Sequence, residues 1–161
     1  PVYSKKLRFI DILPNWVICY MGKFVGASLI GSLFILSGAL SHQLPDFLSS
    51  ILVYKLDFDI TQLIIRSILC NFIVCIASYV SYKVKDEAAK VIILFIVIIS
   101  FVLPGFDHSI ANMATFAMGV TAFPATINYS QIFFNLLFST FGNIIGGSVL
   151  MALPLYLIYK K

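Results

Sequence analysis

Residues 91–113 read VIILFIVIISFVLPGFDHSIANM. An almost unbroken apolar run ends in Pro104 and Gly105, and Asp107, His108 and Asn112 follow within eight positions of the proline. Burying polar groups without partners costs several kcal/mol, so their place after such a run demands a reason. The Pro-Gly pair supplies the first part of it. Proline lacks a backbone donor and glycine tolerates dihedrals closed to other residues, so the helix should break here. From its start near Ala88 the run reaches Leu103 after about 15 residues, roughly 23 Å of helix, which is short of a full membrane crossing. A second half-helix from about Ser109 to Val120 would complete the passage. Non-helical backbone at that depth is tolerated only where protein or a cavity surrounds it. A discontinuous helix near the midplane is a common mark of a transport site.

The rest of the chain agrees with a membrane setting. Its 161 residues are 60% hydrophobic and 11% charged, with a mean hydropathy of +1.00. Soluble domains carry about 25% charged residues, and so few charges could not cover a soluble surface. The fold class expected is an all-α polytopic membrane protein, a single transmembrane domain over residues 1–161 with spans at about 15–38, 61–82, 88–120 (broken near 104–108) and 132–159.

Charge placement orients these spans. Lys5, Lys6 and Arg8 precede the first; Lys83, Lys85 and Lys90 surround the loop after the second; Lys160 and Lys161 end the chain. The loop between the first two spans carries Asp46, Asp57 and Asp59 against Lys55, and residues 114–131 carry no charge. By the positive-inside rule both ends lie in the cytoplasm of a cell membrane protein.

An internal repeat links the first and last spans. Gly22, Gly26 and Ser28 in GKFVGASL match Gly142, Gly146 and Ser148 in GNIIGGSV at a constant offset. Glycines four apart share a helix face and admit a close neighbour. Two readings stay open: independent packing faces, or a duplication in which each span ends a three-helix repeat. An odd number of spans per repeat inverts the second relative to the first. Two further spans, one of them broken, are then expected upstream of Pro1.

The polar residues each admit more than one role. His108 either bonds across helices or acts on substrates and protons, since ionisable groups at membrane depth usually face a cavity and histidine titrates near neutrality. Asp107 is assigned to nearby backbone or helix-terminal donors. Asn112 and Asn71 either brace the break or bond between helices. Arg66 either snorkels or pairs with an acidic loop residue. Lys23 stands in the first span as a lipid-phosphate or subunit contact without a transport role, and Lys55 reads as a solvated interfacial lysine. Cys19, Cys70 and Cys75 read as small buried packing residues. His42 has no ligand partner at metal spacing, so no metal site or other cofactor is expected. No nucleophile set or phosphate loop is present, and an enzyme or a nucleic-acid partner is not expected.

GFDHSIANM resembles the GFEHSIANM motif of the formate/nitrite transporter family. RSILCNFIVCIA and FGNIIGGSVLMALPLYLIY resemble its fourth- and sixth-helix motifs, in the right order and over nearly the whole chain. The resemblance implies helices three to six of an aquaporin-like, inverted-repeat protomer with six helices, assembled in the bilayer as a homopentamer with one pore per protomer. It makes His108 the central pore histidine, Asn71 its fourth-helix partner, Lys55 the lysine that attracts anions to the entrance, and Asn112 the motif asparagine. Asp107 departs from the family's glutamate, and Lys23 stands where asparagine is common. Helix one and broken helix two, with the loop threonine that contacts the histidine, are expected outside this chain.

The function implied is a channel or transporter for small monovalent anions, formate or nitrite first, with His108 handling protons. The alternatives are hydrosulfide, acetate or lactate as substrate, or a neutral-solute pore for water or glycerol, whose Asn-Pro-Ala signature is missing here.

Overall fold

The computed structural model describes residues 8–38 and 44–160; Lys5, Lys6, His42 and Lys161 lie outside them. Among the described residues every regular element is helical: α1 (Phe9–Leu36), α2 (Leu44–Leu56), α3 (Ile60–Lys83), α4 (Glu87–Val102), α5 (Ser109–Ala122), α6 (Tyr129–Ile145), a π-helical segment (Gly146–Ala152) and α7 (Leu153–Tyr159). Three stretches are long and apolar enough to cross a membrane, namely Ile10–Leu36, Ile60–Lys83 and Tyr129–Tyr159.

Local chemistry sets the helix starts. Asp59 caps α3 by accepting from the Gln62 amide at 2.9 Å, and Asp86 caps α4 by accepting from the Ala89 amide at 2.7 Å. At the start of α1 the Arg8 amide and guanidinium donate to the Asp11 carboxylate, and the Asp11 amide donates to the Arg8 carbonyl. That cap explains why α1 begins at Phe9, earlier than the expected residue 15. Pro14 falls early in the helix, where its missing donor costs a single backbone bond.

The sequence leaves residues 39–60 as a loop, whereas the structure forms the thirteen-residue helix α2 there. Leu48 and Leu52, one turn apart, are both buried. Asp46 in the first turn and Lys55 in the last complement the helix dipole. Lys55 is therefore a half-buried helix-terminal residue rather than a loop residue.

The helix interruption lies at residues 103–108. Gly105 adopts φ +72°, its amide donates to the Val102 carbonyl, and the Phe106 amide donates to the Phe101 carbonyl, both at 3.0 Å. This is a Schellman turn with glycine at the left-handed position, and Pro104 occupies the site before it.

The chain groups into two compact units. Pro1–Asp57 with Ile110–Phe134 form the first, and Phe58–Ser109 with Asn135–Lys161 form the second. In the first unit α1 approaches α5 so closely at Gly31 that a Cβ would lie 2.6 Å from the Ala114 carbonyl oxygen. Thr121 donates to Ser32 at 2.9 Å beside it, and Leu48, Leu52, Met113 and Phe116 fill the core. In the second unit α3 packs against α4 and the π segment. A Cβ at Gly142 would stand 2.6 Å from Ser67 Cβ, and one at Gly146 would overlap the Ile68 carbonyl.

The glycines of the sequence repeat thus differ in their surroundings. Gly142 and Gly146 pack against α3, while a Cβ at Gly22 or Gly26 meets nothing within 4 Å among the described residues. The close approach on α1 is made by Gly31 instead. Cys70 is buried and Cys75 half-buried, but Cys19 is exposed on α1, contrary to the expected buried role.

Candidate functional site at the helix break

The break leaves backbone groups that no helix satisfies, and Asn143 of α6 supplies their partners. Its Nδ2 donates to the Asp107 carbonyl at 3.0 Å and to the Ser67 carbonyl at 2.8 Å. Its Oδ1 accepts from the Ser109 amide at 2.9 Å. One amide side chain therefore holds the backbone on both sides of His108 and ties it to α3. Asparagine suits this place because it both donates and accepts without carrying charge. Asn143 is itself held: Asn71 of α3 donates from Nδ2 to the Asn143 carbonyl at 2.6 Å. Gly147 makes room for that amide, since a Cβ there would lie 2.7 Å from it. The π segment begins just beyond, as π-helical turns often do near functional sites.

His108 is half-buried, with its ring 6.1 Å from the Phe101 ring at a tilt of 33°. Asp107 is 2% exposed and Ser109 5%, so the break is enclosed. Polar residues make up much of the buried set, including Ser67, Asn112, Asn135 and Ser139.

Of the residues singled out in the sequence, His108, Asp107 and Asn71 come together in the second unit, with Asn143 as the link. Pro104 and Gly105 form the turn that precedes them. Asn112, buried in α5, and Lys55, at the end of α2, belong to the first unit. Among the described residues no group of three or more His, Cys, Asp or Glu side chains could hold a metal ion. Sequence reasoning passed over Asn143. Its signal was an uncharged polar residue amid a long apolar span, directly after a packing glycine.

Three stretches long and apolar enough to cross a membrane, with a helix interruption whose backbone an asparagine clamps, define the class as a multi-pass membrane protein. The comparisons agree. The family model described as formate/nitrite transporter matches residues 1–157. The chain is 32% identical to an uncharacterized transporter of Bacillus subtilis, over 94% of this chain and 60% of the relative. It is 29% identical to a formate channel of Bacillus thuringiensis, over 99% of this chain and 61% of the relative. A solved pentameric formate channel with formate bound superimposes with a TM-score of 0.85 at 26% identity, covering 97% of this chain and 69% of that one. The chain belongs to the formate/nitrite transporter family. It spans about 60% of the length of these two curated relatives.

Proposed function

We propose that the protein carrying this chain is a channel for small monovalent anions, formate or nitrite first, in which His108 exchanges a proton with the passing anion. The carrying observation is the Asn143 clamp. It fixes the peptides on both sides of His108 within a buried, polar break. Family membership and the formate channel among the similar solved structures support the substrate class.

An anion alone crosses a low-dielectric constriction at high cost, whereas its neutral acid crosses cheaply. The imidazole of a histidine can lend the proton and take it back. The clamp keeps the His108 backbone from shifting, and Asn71 secures the clamp. Lys55 raises the local anion concentration at the entrance. Asn112, buried in α5, is taken as a further pore residue on the strength of the motif it shares with the family. The assembly is a homopentamer, a reading supported by the pentameric state of the similar solved formate channel, and the proton is the second partner.

Both chain ends face the cytoplasm of a cell membrane. Within the second unit the ends of α3 and α7 lie together: the Tyr79 and Tyr159 hydroxyls bond at 2.7 Å, and Lys83 Nζ is 5.7 Å from both rings. Lys83 and Lys160 thus stand at one side of the bundle, as a positive cytoplasmic face requires.

The test uses the full-length protein in liposomes. His108→Phe is expected to abolish the acceleration of formate uptake by an inward proton gradient. Uptake that keeps its rate and its pH dependence in that variant refutes the role.

A further inference from the structure

Two helix ends in the second unit carry the same five-residue pattern. Residues 79–83 read YVSYK and residues 156–160 read YLIYK. The first closes α3 and the second ends at the C-cap of α7, so each stands at the end of an apolar span, Ile60–Lys83 or Tyr129–Tyr159. Residues four apart share a helix face, and in each copy the lysine lies over the first tyrosine. Lys83 Nζ is 5.7 Å from the Tyr79 ring centroid, and Lys160 Nζ is 5.7 Å from that of Tyr156. The two copies are also joined. The Tyr79 and Tyr159 hydroxyls bond at 2.7 Å, and Lys83 Nζ is 5.7 Å from the Tyr159 ring as well.

Lysines complement the dipole at helix C-termini, and tyrosines gather at membrane interfaces. Neither tendency accounts for an ammonium on a ring at both helix ends, or for the hydroxyl pair between them. The arrangement suits an acceptor of hydrogen bonds. A ring face holds an ammonium electrostatically, and the N–H groups turned away from the ring can donate to an oxygen ligand. Lys90, by contrast, gives its charge to Glu87 at 2.6 Å. One hydroxyl proton joins the tyrosine pair, and the other can donate outward. Lys83, Tyr159 and Lys160 are exposed, so a ligand can reach them. Beside this polar end the surface is apolar: Leu157 and Ile158 are exposed, as is Ile76 one turn before Tyr79.

We propose that the joined Tyr-x-x-Tyr-Lys ends of α3 and α7 bind the phosphate of one anionic phospholipid, with Lys83 at the centre, Lys160 beside it and acyl chains along Ile76, Leu157 and Ile158. Two ammonium groups favour a head with net negative charge over a zwitterionic one, whose own cation would meet them. A soluble phosphate could use the same donors, but it would leave the apolar strip uncovered at the end of two membrane spans. Because the rings already hold Lys83, less freedom is lost when the head binds. The inference rests on these spans crossing a bilayer and does not depend on which solute passes or on His108.

Native mass spectrometry of the full-length protein, titrated with phosphatidylglycerol in detergent, gives the affinity for the first lipid bound per chain. Lys83→Ala is expected to weaken it about fivefold, the effect of one lysine beside an anionic lipid. Lys83→Gln gives the same reading if the alanine variant folds poorly. Lys83→Arg keeps the charge and stacks on rings, and should stay within about twofold of the parent. Lys85 is an exposed lysine in the loop after α3. Lys85→Ala should change the affinity less than about twofold, because an exposed charge away from the head is screened. Equal losses at Lys83 and Lys85 mean diffuse surface charge and overturn the site, as does parental binding by the neutral Lys83 variants. Phosphatidylcholine binding as tightly as phosphatidylglycerol overturns the recognition of charge. Displacement of the bound lipid by soluble glycerol phosphate overturns the lipid in favour of a free anion.

Discussion

Replacing Asn143 by leucine, which has the same branched shape and number of side-chain heavy atoms but bulkier methyl ends, removes the clamp without opening a cavity. Three hydrogen bonds disappear, of 2.8, 3.0 and 2.9 Å. They do not count equally. The Ser67 carbonyl lies within α3 and can keep a helical partner, so its loss is the smallest. The Ser109 amide opens α5 and has no intrahelical acceptor, and the Asp107 carbonyl flanks the break. A buried group left without a partner costs about 1–3 kcal/mol, which puts Asn143→Leu at roughly 2–5 kcal/mol of destabilisation. Equilibrium unfolding in mixed detergent measures the total. Amide exchange at residues 107–110 locates it, and protection at Ser109 should fall more than protection within α3. The reasoning fails if the variant unfolds within about 0.5 kcal/mol of the parent, the range of ordinary surface changes. It also fails if Ser109 stays protected.

Two glycine substitutions test the packing and the turn. Gly146→Ala drives a methyl into the Ile68 carbonyl, with the Phe72 amide nitrogen 3.1 Å away, and backbone cannot yield as a side chain does. It should cost about 1–3 kcal/mol in the same unfolding assay. Gly119→Ala meets only the methyl ends of Leu52 and Ile127 and should cost less, so a reversed order refutes the packing account. Gly105→Ala forces φ +72° on a residue with a Cβ and should cost about 1 kcal/mol. Gly105→Asn should recover part of this, and melting curves of the pair provide the check.

The break was legible because Pro104 and Gly105 act through their own backbones, with no need of distant partners. The long spans were legible through hydropathy alone. α2 was not, because a short helix with two buried leucines and acidic flanks reads as a charged loop when charges are counted. Asn143 was not legible either. An asparagine looks the same in sequence whether it packs idly or holds a break, and its meaning comes from Ser67, Asp107 and Ser109 meeting it across 76, 36 and 34 residues. The two glycine motifs make the same point from the other side. Their letters match, yet only Gly142 and Gly146 meet α3 in this chain, because the surroundings of a motif are set by the fold.

The use of amides around His108 has an electrostatic consequence. Asn71 and Asn143 hold the break with groups that donate and accept but never change charge. A charged side chain in the same place would need its own compensation in a low-dielectric interior. Because the clamp stays neutral, Asp107 and His108 are the ionisable groups that the break itself supplies. Under the proposed role, a proton taken up by the imidazole alters the local field without displacing the peptides that position it. The Asn71 bond to the Asn143 carbonyl strengthens this separation, since turning the clamp would break that link as well.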